Sequence, residues 1–278
     1  MIEFIKSKTP IQICDIGASP KDKTEFIEEL FMNTNSTIVG FEPNNDEFEK
    51  LEKDNPRKKY YNFGIGDGKE KILNICKAVG MSSFLEPDFD YLNNFHGFDR
   101  WSQIINKVKV NTKKLSDLPD KIDFLKIDVQ GYESEIINYG KDKIDDCLVI
   151  QLETSPTPIY KNEKTHSATI LELEKLGFTL HMFNNLNTRS FKPTIVNNNP
   201  FTGINHLFQV DCVLIKNLKT IDNYEIESLK KLILILFYSF KSYDLVDYLI
   251  RLLDKKENQK NIDKFREVFS KLKIQKLY

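Results

Sequence analysis

The stretches Asp15-Ile16-Gly17-Ala18-Ser19 and Phe41-Glu42-Pro43, followed far downstream by Lys126-Ile127-Asp128-Val129-Gln130-Gly131-Tyr132-Glu133, decide how this chain is read. Each closes a short apolar run, and acidic turns at the ends of successive buried strands are how an open α/β sheet lines a nucleoside pocket along its carboxyl edge. Chemistry is expected at that edge. Working outward, apolar runs with strand character recur at Ile11 to Ile16, Thr37 to Phe41, Lys59 to Phe63, Ile122 to Val129, Cys147 to Leu152, Phe178 to Phe183 and Val210 to Ile215. They lack clean alternation, as strands buried on both faces do. Between several of them lie helix-period segments. Thr24 to Met32 puts Phe26, Ile27, Leu30 and Phe31 on one stripe, and Ser167 to Leu176 repeats the pattern before Gly177, a natural C′ residue. Strands alternating with helices predict a doubly wound, mostly parallel α/β sheet.

The rhythm breaks between Lys71 and Lys114. Two extra strand-like runs, Ile72 to Lys77 and Val108 to Thr112, flank an aromatic stretch holding Phe84, Phe89, Tyr91, Phe95, Phe98 and Trp101. An insertion of that size near the carboxyl edge reads as a lid or wall, with most rings in a satellite core and one or two facing a substrate. From Asn223 onward the sequence is helix-period and carries no strand signal. The expected division is a domain over 1–220 and a C-terminal helical extension over 221–278, whose stripe Leu232, Leu236, Phe240, Leu245, Leu249 and Leu252 serves helix packing or a homodimer contact.

A chain of 278 residues can bury a core without covalent staples. Cys14, Cys76, Cys147 and Cys212 stand singly in apolar runs, with no C-x-x-C pair, and are expected to be buried and reduced. A formal charge of −1 argues against nucleic-acid binding through a general basic surface. Met1 to Pro10 lacks the apolar core of a signal peptide, and Leu232 to Phe240 is about half the length of a bilayer span. A cytoplasmic protein without a membrane span is the expectation.

Ser19-Pro20 supplies a helix N-cap followed by proline at N1, so the first helix should begin there with its amides facing the Gly17 turn. The positive helix end would suit an anionic or zwitterionic ligand tail. Gly17 either admits a ligand to the backbone or only permits a tight turn, and Asp15 either binds an ammonium or caps that turn. Glu42 stands at the end of the next strand, where a carboxylate can accept both hydroxyls of a ribose. A nicotinamide dinucleotide would use the same two strand ends, but its G-x-G-x-x-G turn is missing: only Gly17 is present, followed by Ala18, Ser19 and Pro20. A ligand with ribose and no pyrophosphate fits better, and S-adenosylmethionine has that constitution.

With those residues in hand, the chain resembles the FkbM-like family of class I S-adenosylmethionine-dependent methyltransferases. The likeness is carried by Asp15 to Ser19, Gly40 to Asn44, Gly64-Ile-Gly-Asp-Gly68, Met81 to Phe84, Leu115 to Leu118, Asp123 to Glu133 and the strand ending in Glu153. Thr157 to Tyr160, Leu176 to Phe178 and Val210 to Lys216 extend it, so that it covers roughly residues 10 to 217. The resemblance implies a seven-stranded, Rossmann-like class I sheet whose last strand, near Val210 to Ile215, is antiparallel. It also implies that Asp15, Gly17 and Ala18 surround the methionine portion of the cofactor, that Glu42, beside Pro43, holds its ribose, and that Ile65 and Gly66 line its adenine. Ser19 departs from the asparagine common in relatives, which bears on the contact to the cofactor's carboxylate.

Asp128 ends the fourth main strand, where it either orients and deprotonates an acceptor hydroxyl beside the cofactor or caps the turn into the next helix. Glu133 reads as a first-turn helix acid favoured by the macrodipole. Glu153 is a candidate acceptor contact. Some O-methyltransferases hold a divalent ion with several carboxylates, but Asp128 and Glu153 alone make no metal motif, so none is favoured. His96 and His206 fall in segments that can wall an acceptor site, and His206 is a candidate base. Ser82, Ser83 and Tyr160 match family positions near the acceptor. The expected activity is methyl transfer from S-adenosylmethionine to a hydroxyl of a small or carbohydrate-like acceptor. The competing reading is a noncatalytic interaction protein that keeps the fold and docks partners on its C-terminal helices.

Overall fold

The computed structural model describes residues 2–20, 25–52, 54–118 and 121–272. In chain order the elements are β1 (Ile11–Ile16), α1 (Glu25–Asn33), β2 (Ser36–Phe41), α2 (Asn45–Phe48), β3 (Lys58–Tyr61), β4 (Gly64–Ile65), β5 (Lys71–Cys76), α3 (Phe89–Leu92), α4 (Phe98–Trp101), β6 (Ile104–Val110), β7 (Thr112–Lys113) and β8 (Phe124–Ile127). They continue with α5 (Glu133–Tyr139), α6 (Lys141–Ile144), β9 (Val149–Thr154), α7 (His166–Lys175), β10 (Phe178–Thr188), β11 (Leu207–Lys216), α8 (Ile226–Tyr238), α9 (Tyr243–Glu257) and α10 (Asn261–Phe269).

A seven-stranded sheet runs in the order β10-β11-β9-β8-β1-β2-β3. β8 pairs in parallel with both β1 and β9, β2 pairs in parallel with β3, and β11 is antiparallel to both β9 and β10. This is the doubly wound, mostly parallel sheet expected from the alternation of strands and helices, and its seven strands with β11 antiparallel are what the resemblance implies. The central strands are buried along nearly their whole length, β8 at every residue, which is why their sequences run apolar instead of alternating. All four cysteines are buried and unbonded to one another.

The inserted segment stays out of this sheet. β5 and β6 form an antiparallel pair of their own, and β4 pairs with β7 as a second short ribbon. Phe95, Phe98, Met81, Leu92, Ile159, Tyr160 and Phe208 fill a satellite core beneath it. Most of the inserted rings therefore pack, as their density in the sequence suggests.

The chain divides into two compact units. One comprises Ile13–Asp22 and Ile38–Lys216; the other comprises Met1–Gln12, Lys23–Thr37 and Asn217–Tyr278. In the second unit α1 packs on α8, with Phe26 and Phe240 stacked at 5.8 Å between ring centroids. The N-terminal segment is tied down by the Ile2 amide, which donates to Tyr238 Oη at 3.2 Å, and by the Thr9 amide, which donates to Glu227 Oε1 at 3.0 Å. Leu232, Leu236, Phe240 and Leu249 are buried within the chain itself.

The described part of α1 begins at Glu25, and residues 21–24, where a helix opened by Ser19-Pro20 would run, lie outside the described residues. Thr24, at the expected start of the apolar stripe, lies outside the described residues; Ile27, Leu30 and Phe31 are buried as that stripe predicts.

The strand ends are held together by backbone. The amides of Gly17 and Ala18 both donate to Phe41 O, at 2.9 and 3.1 Å, and the Asp128 amide donates to Ile16 O at 2.9 Å. Gly17 has φ +80°, and a Cβ placed there would fall 1.8 Å from the carbonyl oxygen of Asp128. Gly17→Ala is thus expected to lower the unfolding free energy by at least about 2 kcal/mol in urea titration. Wild-type stability in that variant would mean that the ends of β1 and β8 can part without penalty.

Candidate functional site

A cleft opens where β1, β2 and β8 end. Gly17 and Ser19 line it from the turn after β1, Glu42, Pro43 and Asn44 from the turn after β2, and Asp128, Val129 and Gln130 from the turn after β8. The insertion closes it with Ile65, Leu73, Gly80, Ser82, Ser83 and Phe84. Polar groups thus stand at the strand ends, while Phe41, Ile65, Leu73 and Phe84 form an apolar wall.

Glu42 is 8 % exposed, and its Oε1 accepts from the Asn44 amide at 2.6 Å. Asn44 in turn caps α2 by accepting from the Asp46 amide at 3.1 Å. The carboxyl group is therefore oriented by its own turn before any ligand arrives. Asp15 is placed otherwise. It lies behind the turn, 7 % exposed, and Lys126 Nζ donates to its Oδ1 at 3.0 Å. Lys126 is itself buried and stands 4.0 Å from Asp128 Oδ2, so one ammonium links the ends of β1 and β8.

Gln130 was quoted in the sequence only as part of a motif, yet it organises the site. It holds φ 57°, and Gly131 follows at φ 93°. Gln130 Nε2 donates to Asp128 Oδ1 and to Glu153 Oε2, both at 2.8 Å. Its Oε1 accepts from Tyr160 Oη at 3.2 Å, and its backbone oxygen accepts from Ser83 Oγ at 2.7 Å. Glu133 steadies the same turn, accepting from the Val129 and Gly131 amides at 3.1 and 3.2 Å. Burial, reinforced by Glu163 and Asp128, pushes the Glu133 carboxyl up to about 8.

Beyond Gln130 a second cavity of about 210 Å³ is lined by Ala78, Gly80, Met81, Phe98, Trp101, Gln130, Glu153, Ile159, Arg189 and Gln209. Gly80 and Gln130 border both spaces. Glu153 stands opposite Asp211 in the register of β9 and β11, and Gln209 Nε2 donates to Glu153 Oε2 at 2.7 Å. Burial and the neighbouring Asp128 and Asp211 carboxylates hold Glu153 well above the usual carboxylate range. The same causes, burial first and then Asp128, push Asp211 up to about 6.

The family profile of the Methyltransferase FkbM domain matches residues 15–180, more than half of the chain. The chain belongs to the FkbM methyltransferase family. Among solved structures it is similar to a methyltransferase FkbM from Methylobacillus flagellatus KT, at 12 % identity and a TM-score of 0.41, over 74 % of this chain and 43 % of that one. The present chain thus spans less than half the length of that relative. It is also similar to a TehB-like SAM-dependent methyltransferase from Corynebacterium glutamicum, at 10 % identity and a TM-score of 0.37, over 76 % and 83 % of the two chains. No curated protein matches.

FkbM membership implies S-adenosylmethionine as the methyl donor, and the cleft can be tested against that molecule. At Gly17 any side chain would collide with Asp128, so the floor stays open. An oriented acid, Glu42, suits a ribose diol, and the apolar wall suits a purine. The donor set fits. Of the residues expected to hold the cofactor, Gly17, Ser19, Glu42, Pro43, Ile65 and Asp128 line the cleft. Asp15, Ala18 and Gly66 do not: Asp15 is occupied by Lys126, and the Gly66 amide is spent on Lys113 O at 2.8 Å.

The expected acceptor residues separate. Glu153 and Asp128 meet through Gln130, and Ser82 and Ser83 border the cleft. Ser82 Oγ accepts from the Cys76 amide at 3.1 Å and Ser83 Oγ bonds the Gln130 turn, so both hydroxyls hold the insertion in place. Tyr160 is 1 % exposed and lines neither space, reaching the site only through Gln130. His206 sits in an aromatic cluster, 2.7 Å from Tyr91 Oη and stacked on Phe95, and lines neither space either. His96 contacts Thr194 O at 3.1 Å. Among the described residues no group of three or more His, Cys, Asp or Glu side chains is disposed to hold a metal ion, and no helix is long and apolar enough to cross a membrane.

The raised pKa of Asp211 has a direct consequence. The folded protein retains the Asp211 proton where the unfolded chain has released it, so this group lowers stability progressively as pH rises from about 4 to about 6. Asp211→Asn is expected to be more stable than wild type above pH ~6, on the order of 1–3 kcal/mol, with the difference vanishing below pH ~4. A difference that does not change with pH would rule out the crowding of carboxylates as its cause.

Proposed function

We propose that this FkbM-family protein methylates a hydroxyl oxygen of a small or carbohydrate-like acceptor, with S-adenosylmethionine in the strand-end cleft and the acceptor in the adjoining cavity. The observation that carries this reading is the amide of Gln130, which joins Asp128 on the cleft side to Glu153 on the cavity side. A hydroxyl entering between the two spaces meets a carboxylate and a fixed amide at once.

Bound in the cleft, S-adenosylmethionine supplies a methyl group made electrophilic by the positive sulfur that carries it. The work left to the protein is alignment, exclusion of water and removal of one proton. Asp128 is the group suited to take that proton. Its Oδ1 is held by Gln130, its Oδ2 lies toward Lys126, and its side chain is 23 % exposed. An alcohol is too weak an acid to ionise beforehand, so proton transfer to Asp128 would accompany formation of the carbon–oxygen bond as the carbon–sulfur bond breaks and its electron pair returns to sulfur, leaving S-adenosylhomocysteine. Glu153, whose ionisation burial opposes, borders the cavity as a hydrogen-bonding contact for an acceptor oxygen.

Two substitutions test the two halves of this reading. Glu42→Ala is expected to weaken binding of S-adenosylhomocysteine by tenfold to a hundredfold in calorimetry, about 1.5–3 kcal/mol, while Glu42→Gln, which still accepts from the Asn44 amide, loses less. Unchanged affinity in folded Glu42→Ala would remove this residue from the cofactor site. Asp128→Asn is expected to bind S-adenosylhomocysteine nearly as wild type does and to turn over acceptor at least about a hundredfold more slowly. Undiminished turnover would reject the proton-accepting role. A folded wild-type protein that binds neither S-adenosylmethionine nor S-adenosylhomocysteine would instead support the noncatalytic, partner-docking alternative.

A further inference from the structure

Arg189 is the charged side chain of the second cavity that neither the motifs nor the proposed chemistry use. It follows the end of β10, and its backbone amide donates to His206 O at 3.0 Å. Its Nη1 donates to Asn187 Oδ1 at 2.7 Å and to Thr188 O at 3.1 Å. The guanidinium carbon lies 5.8 Å from the ring centroids of both Phe98 and Phe208. Its Nε is buried and has no hydrogen-bond partner. Among the described residues no carboxylate forms an ion pair with it.

A guanidinium drawn in among aromatic rings without a counter-ion is an expensive arrangement. Burial pulls its pKa below the ordinary arginine value, and no carboxylate among the described residues pairs with it to offset that cost. Two of its hydrogen bonds go to neutral oxygens at one nitrogen, which fixes the group without neutralising it. Such a cation, held at the wall of a cavity of about 210 Å³, is arranged to meet a negative charge that the protein does not provide.

We propose that Arg189 is the anion-recognising residue of the acceptor cavity, and that the acceptor is a hydroxylated carboxylic acid of the sugar-acid kind, its carboxylate toward Arg189 and its hydroxyl toward Gln130 and Asp128. The inference rests on the methyltransferase reading for the fate of that hydroxyl, but not for the binding of the acid. The groups facing the cavity are consistent with it. Glu153 is the carboxyl group in its lining, and burial together with the Asp128 and Asp211 carboxylates opposes its ionisation, which lessens its repulsion of an incoming carboxylate. Trp101 and Phe98 contribute aromatic rings to the lining, beside the side chains of Gln209 and Gln130. A neutral sugar would use the same rings and amides but leave the guanidinium as it stands.

The test compares methyl glucuronide with methyl glucoside, which share a ring and differ in charge, as ligands of the full chain by saturation-transfer NMR and calorimetry. Wild type is expected to bind the glucuronide at least tenfold more tightly. Arg189→Met is expected to abolish that preference, Arg189→Lys to retain part of it, and both to bind S-adenosylhomocysteine as wild type does. Equal or tighter binding of the glucoside, binding of neither sugar, or a glucuronide preference that survives in Arg189→Met would overturn the proposal. The lysine variant guards against a methionine variant that misfolds. S-Adenosylhomocysteine binding by wild type, read separately, tells whether the methyltransferase reading has failed on its own.

Discussion

The close approach of two backbones at Gly17 governs the rest of the site. β1 and β8 are neighbouring parallel strands, and at their ends the chain of Gly17 comes against the carbonyl of Asp128 with no room for a side chain. Through its amide Gly17 also holds the end of β2, by way of Phe41 O. Three strand ends are thereby gathered, and the acidic residue at each is delivered to a fixed place. The three acids have different fates because their surroundings differ. Asp15 is turned inward and neutralised by Lys126, Glu42 is braced by its own turn, and Asp128 is left partly exposed at the mouth of the cleft.

Charge balance then decides what each carboxyl group can do. Asp128 raises the cost of ionising both Glu153 and Asp211, Asp211 adds to that of Glu153, and Lys126, which eases the ionisation of Asp211, is committed to Asp15. Gln130 separates Asp128 from Glu153 with a neutral donor that serves both. Burial thus opposes ionisation of Glu153 and Asp211, the two acids behind Asp128.

Much of this was readable in the chain. β1 spans the very run picked out by its apolar residues, and the helix before Gly177 ends as its pattern predicts, with that glycine at φ +83°. Buried parallel strands leave a strong signal because both of their faces must be apolar. The less legible parts share a cause. β10 runs on to Thr188 through Asn184, Asn185 and Asn187, where side chains turn to solvent and the apolar pattern stops. Arg189 and Gln209, at the ends of β10 and β11, belong to that unpatterned stretch. Gln130 was visible only as a letter in a motif, since its role depends on a left-handed backbone that brings one side chain between two carboxyl groups.

The insertion is where local packing and chemistry become one problem. Its strand β5 is bridged to Ser83 through Asn74, and Ser83 is bonded to the Gln130 turn, so the ribbon that walls the cleft also fixes the amide that organises it. Tyr160 adds a second brace from the satellite core, donating to both Met81 O and Gln130 Oε1 at 3.2 Å. A sheet edge alone could present Asp128, but only with the insertion folded against it does Gln130 have every polar atom of its side chain and its carbonyl engaged. The aromatic residues that looked like a substrate surface therefore act mainly one step removed. By filling the satellite core they hold the serines and the tyrosine that hold the glutamine, leaving Phe84 to face the cleft and Phe98 and Trp101 to face the cavity.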